Sequence, residues 1–110
     1  MRAIKPVHLN QKGDEVSNLH KGLLFLILHQ PGISDNDRRT LQQRLAPELR
    51  DQTFGNATLD LVRTWQVQLK HRPDAPKNLR DNLAVNGDVE QGTADALNWL
   101  LAELGALKLE

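Results

Sequence analysis

Cysteine does not occur anywhere in the 110-residue chain, which excludes disulfide bridges and thiolate metal sites. Tyrosine is also missing. With two Trp and two Phe as the only aromatic residues, there is little material for a platform on which bases or sugars could stack. Net charge is missing as well: 14 basic and 14 acidic residues cancel, removing the broad positive field that favours a phosphate backbone or an anionic lipid surface. No partnership with nucleic acid or membrane is therefore expected. The longest apolar run, Gly22 to Leu28, is far short of a membrane span. Met1 to His8 has no apolar h-region and so does not read as a signal peptide. If the chain works outside the cytoplasm, its export signal is expected elsewhere in a longer parent protein.

Catalytic signatures are absent too. The chain has no His-Glu-x-x-His, no Gly-x-Ser-x-Gly and no phosphate-binding glycine loop. His8, His20, His29 and His71 fall on four different segments without ligand spacing, so no metal site is expected. The acidic pairs Asp14-Glu15 and Asp35/Asp37 stand at expected helix starts, where the helix dipole accounts for them. No enzyme activity and no cofactor are expected.

What is present is the material of one soluble domain: 39% hydrophobic and 25% charged residues are enough to bury a single core. The stretch Asp51 to Gln66 organises it. A turn rich in Gly, Asn and Thr leads into Leu61, Val62, Trp65 and Leu69, the spacing of one helix face. Asn56 or Thr58 can cap that helix, and Asp60 places negative charge near its positive end.

Other elements follow in order. Residues 1–12, with Ile4, Val7 and Leu9 around Pro6, suit an irregular arm laid across the core. Gly13-Asp14-Glu15-Val16 opens a helix with Val16, Leu19, Leu23, Leu26 and Ile27 on one face, which should stop by Gln30 ahead of Pro31. Leu24, Phe25 and Leu28 make its second half apolar nearly all round, so it is central or covered by something additional. Within it, His20 reads as a surface or hydrogen-bonded residue. Ser34 to Asp37 is a strong N-cap cluster for a short helix at about 36 to 46, ended by Pro47, with Arg38, Arg39 and Arg44 on a solvated face. Lys70 to Leu83, with Pro73 and Pro76, reads as a long loop.

The last third repeats the central device. Aligning Thr93 with Thr58 places Asn86-Gly87-Asp88-Val89 on Asp51-Gln52-Thr53-Phe54, and Leu97 and Leu100 on Val62 and Trp65. The closing helix should bury Ala96, Leu97, Leu100, Leu101 and Leu104 and stop at Gly105.

The order Asp51-x-x-Phe54-Gly55-x-x-Thr58-x-x-Leu61-Val62-x-x-Trp65-Gln66 resembles the signature of the peptidoglycan-binding-domain-like family, small three-helix modules attached to bacterial cell-wall hydrolases. Gly13, Val16, Leu19 and Leu23 keep the frame of that family's first helix, with His20 at the usual Gln. Asn86, Gly87, Thr93, Ala96 and Leu97 keep the closing element. Gln52 and Glu90 stand where the family has Gly. The resemblance spans about residues 9 to 105.

It implies an all-α, three-helix peptidoglycan-binding-domain-like bundle over residues 13–105, carrying an extra short helix between the first and second family helices. Residues 106–110 would form a tail, and Leu109-Glu110 fits a cloning remnant. It also implies a non-catalytic murein-binding module that anchors a larger bacterial protein to the wall, as a single copy, in the cell wall, the periplasm or the secreted fraction. Family members bind murein in a shallow groove between helices. If the two helices that follow the turns lie side by side, Asp51, Thr53, Asn86 and Asp88 are the candidate contacts for peptidoglycan stem peptides, although Asp and Asn in turns also bond their own backbone. The competing expectation is a protein-interaction module of a secreted or toxin-like protein that keeps the fold without the ligand and seals an apolar patch at Leu24, Phe25 or Leu28 against a neighbouring domain.

Overall fold

A computed structural model describes residues 1–107. Its described residues form an all-α bundle of five helices: α1 (Asp14–His29), α2 (Asp35–Asp51), α3 (Asn56–Lys70), α4 (Lys77–Asp81) and α5 (Gln91–Glu103). The expected stripes are the buried ones. Val16, Leu19, Leu23, Leu26 and Ile27 of α1 meet Leu61, Val62, Trp65 and Leu69 of α3 and Ala96, Leu97, Leu100 and Leu101 of α5 in one core. Trp65 is 2% exposed, so the large aromatic surface at the centre of the motif is fully used.

α1 stops where Pro31 predicts, and Arg38 then closes its end. The guanidinium donates from Nε to the Ile27 carbonyl and from Nη2 to that of Gln30, both at 3.0 Å. Arg38 is thus a cap on the negative end of a helix rather than part of a solvated face. α5 ends in a left-handed Gly105, with Ala106 N–H on Leu101 O and Gly105 N–H on Ala102 O, a Schellman closure. Leu107 lies beyond it and is 5% exposed, so the packed body runs past residue 105; the rest of the expected tail lies outside the described residues.

α2 departs most from expectation. It begins at the Ser34 cap, whose hydroxyl accepts from Asp37 N–H at 3.1 Å, but it continues through Pro47 to Asp51 and is not short. Proline removes one ladder bond, here on the solvent side where Gln43, Ala46 and Pro47 are all exposed. Leu45 and Leu49 hold the helix on either side of it. Of its residues only Leu45 is fully buried, so α2 is a polar helix resting on the bundle. The expected loop at 70–83 also contains a turn of helix, α4, which starts directly after Pro76.

The N-terminal arm is a strap. Val7 exchanges two backbone bonds with Val89, while Asn10 N–H donates to Phe54 O and Phe54 N–H to Gln11 O. Val89 and Phe54 are the equivalent residues of the two repeated turns, so one strap ties both copies in the same way. Its own Ile4 and Val7 are buried, which makes the arm part of the core.

Candidate functional site

The two turns share a backbone signature. Gln52 has φ 53° and Gly87, its repeat partner, φ 82°, so this position is left-handed in both copies. At the first turn Thr53 N–H donates to Glu48 O and Gln52 N–H to Leu49 O, a second Schellman closure with a glutamine in the glycine seat.

Neither Asn56 nor Thr58 caps α3 with its side chain. The cap comes from Glu48 on α2. Its carboxylate accepts from Gly55 N–H at 2.9 Å, Ala57 N–H at 2.8 Å, Thr58 N–H at 2.9 Å and the Thr58 hydroxyl at 2.5 Å. A negative group among the free amides of a helix start is the favourable arrangement for both the bonds and the dipole. Burial pushes the Glu48 pKa up, and these four bonds outweigh it and leave the carboxyl below its ordinary range. Asp60 lies beyond the first turn and pairs with Arg44 at 3.0 Å across the α2–α3 seam.

The Thr58 hydroxyl also meets His20, whose Nε2 lies 2.9 Å away in the core. Thr58 has one proton and gives it to Glu48, so the imidazole must donate from Nε2. Its Nδ1 is buried with no partner among the described residues. Burial depresses the His20 pKa, with the Glu48 charge acting in the opposite sense.

The second turn has a different centre. Gln66 is fully buried, and its Nε2 donates to Asp88 O at 2.8 Å and to the Thr93 hydroxyl at 2.9 Å. Its Oε1 accepts from Asn86 N–H at 3.0 Å and Gly87 N–H at 2.8 Å. Glu48 and Gln66 are the organising side chains that sequence reasoning missed. Gln66 could have been found from the spacing of α1, since Val62, Trp65 and Gln66 are spaced as Val16, Leu19 and His20 are.

The four expected contact residues lie in turns joined along the strap, and most of their polar atoms are engaged internally. The Thr53 hydroxyl donates to Asp51 O at 3.1 Å, and Asn86 Oδ1 accepts from Asp88 N–H at 3.0 Å. Asp88 Oδ1 accepts from Leu9 N–H at 3.2 Å, and its other oxygen lies 3.9 Å from His8 Nδ1. Asp51 faces solvent with Arg50 at 3.8 Å. These side chains shape the turns, as Asp and Asn commonly do.

Concavity lies elsewhere. A groove of about 310 Å³ runs between α2 and α3, floored by Ile33, Leu41, Leu61 and Trp65 and edged by Asp37, Thr40, Thr64 and Gln68. It continues into a pocket of about 50 Å³ beside the Arg44–Asp60 pair. No cluster of His, Asp or Glu able to hold a metal ion occurs among the described residues. No helix of the described residues is long and apolar enough to cross a membrane. Comparison of the chain with protein-family models, with curated proteins and with solved structures finds no match.

Proposed function

We propose that the chain is a non-catalytic binding module for peptidoglycan, anchoring a larger bacterial protein to the cell wall, and that the α2–α3 groove is its contact surface. The groove carries the reading. It combines an apolar floor with hydroxyl, amide and carboxylate groups along its edges. Thr40, Thr64 and Gln68 suit the amides of a stem peptide, and Asp37 suits an ammonium group. The order of motifs supports the choice of ligand class. Passive docking of this kind raises the local concentration of whatever domain is attached.

The test is co-sedimentation with insoluble murein. The native chain should pellet, and Thr64→Arg, which fills the groove from an exposed position, should stay in solution with an unchanged thermal melt. Full recovery of the native chain in the supernatant, with walls from several bacterial types, overturns the reading.

A second reading, a protein-interaction module, is favoured by one band on α1. Leu28 is 50% exposed beside the half-buried Leu24 and Phe25, and Phe25 lies against His29 with ring centroids 4.3 Å apart. Light scattering over a concentration series tests it: growth in mass that Leu28→Lys abolishes supports an exposed docking band, and constant mass counts against self-association.

A further inference from the structure

We propose that His20, Thr58 and Glu48 form an acid-released latch, which holds α2 and the first turn to the bundle at neutral pH and lets go when the imidazole takes up a second proton. The geometry fixes the proton inventory. Thr58 donates to Glu48, His20 donates to Thr58, and one imidazole nitrogen is left bare in the core. A proton on Nδ1 creates a buried N–H with no acceptor, at the cost that attaches to any orphaned buried donor. It also buries a charge. The charged group acting on the ring is Glu48, from α2. No acid is among the fully buried polar residues, which are Asn18, His20, Thr58, Gln66 and Thr93; Glu15 of α1 has one buried carboxylate oxygen without a partner, but the charge that acts on the ring is that of Glu48.

Glu48 can accept a hydrogen bond from the imidazolium directly only by turning away from the α3 amides, which uncaps that helix. The alternative is local opening that lets water reach the ring. Both loosen α2, the long helix with the least buried surface of its own. α2 is also one wall of the groove, so acid would remodel that surface whatever it binds.

The sign is set by the direction of the shift. His20 is held neutral in the folded chain, so its contribution is complete above the ordinary imidazole value of about 6.5 and is lost as pH falls below it. The opening equilibrium can then rise by up to about tenfold per pH unit until the folded-state value is reached.

The decisive variant is His20→Gln. Gln66 of α3 plays the same part toward the second turn and donates to Thr93, so the introduced glutamine is expected to donate to Thr58 without titrating. Hydrogen exchange at Gly55, Ala57 and Thr58, corrected for intrinsic rates, should show the native chain opening several-fold more at pH 5.5 than at pH 7.5, and His20→Gln should be flat. The imidazole signal of His20, followed by NMR, should titrate below the ordinary imidazole value of about 6.5. Equal pH profiles for the two chains, or a His20 signal that titrates at the ordinary imidazole value while exchange stays flat, overturns the latch. Should His20→Gln fail to fold, the NMR titration of the native chain decides alone.

Discussion

Removing the Glu48 carboxylate is the sharpest perturbation of this fold, because one half-buried side chain serves four donors on another helix. Replacement of a helix cap costs about 1–2 kcal/mol. The Thr58 hydroxyl would lose its acceptor in a buried position, a further loss of about 1–3 kcal/mol. The two losses share one carboxylate and are not independent, and water can re-solvate the amides nearest the surface. A net loss of about 3 kcal/mol for Glu48→Ala follows, against a total stability of about 5–15 kcal/mol for a domain. Urea unfolding followed by far-UV circular dichroism reads it as a fall in midpoint of about 1–3 M with unchanged slope.

A double-mutant cycle with Thr58→Val isolates the shared bond and should return a coupling of about 1 kcal/mol or more. The pH dependence adds a second check. Glu48 has a lowered folded-state pKa, so its contribution is present above the ordinary glutamate value of about 4.3 and is lost as pH falls through the folded value. The gap between native chain and variant should therefore close below about pH 4. A loss under about 0.5 kcal/mol at pH 7 would class Glu48 with ordinary surface acids and refute the reasoning.

Gln52→Gly should stabilise the chain by about 1 kcal/mol and raise the melting temperature by about 4–8 °C, since Gln52 is exposed and left-handed; calorimetry checks it. Gly87→Ala should do the reverse in a urea titration, losing more than about 2 kcal/mol. A Cβ there would lie 2.6 Å from Leu59 Cγ and 2.9 Å from its carbonyl oxygen, on a backbone already at φ 82°. Arg38→Ala should lose about 1 kcal/mol by the same titration and speed amide exchange in the last turn of α1, because it uncovers the Ile27 and Gln30 carbonyls.

Much of this architecture is legible from one sequence because it is local. The apolar stripes of α1, α3 and α5, the Ser34 cap, the Gly105 stop and the duplication around Thr58 and Thr93 each depend on residues a few positions apart. What was hidden is long-range. Glu48 reaches Thr58 only because α2 runs through Pro47, and proline rules describe the ladder bond lost rather than the anchors at Leu45 and Leu49 that outweigh it. The choice between Asn56 and Thr58 as cap of α3 had no correct answer within that segment, since the cap is on another helix. The candidate contacts suffered the opposite problem. Asp88 and Asn86 look available in a sequence because their acceptors' partners, Leu9 N–H and Asp88 N–H, are backbone groups that any residue would supply.

The two copies of the turn also explain why one keeps glutamine and the other tolerates histidine. Both copies need a donor to the threonine hydroxyl, which His20 Nε2 and Gln66 Nε2 supply at the same 2.9 Å. Only the second needs an acceptor as well. The first turn follows a helix, so Asp51 is the last residue of α2 and Gln52 N–H, the match of Gly87 N–H, finds the Leu49 carbonyl. The second follows a loop, and there Asn86 and Gly87 have Gln66 Oε1 alone. An imidazole fixed by donation from Nε2 has its remaining lone pair on the far side of the ring and cannot do both jobs. Gln66→His should therefore cost about 2–4 kcal/mol in a urea titration, with exchange rising at Asn86 and Gly87, whereas His20→Gln at neutral pH should cost under about 1 kcal/mol. Equal costs at the two sites would show that α2 is not what relieves the first turn, and the link between that helix and the histidine would fail with it.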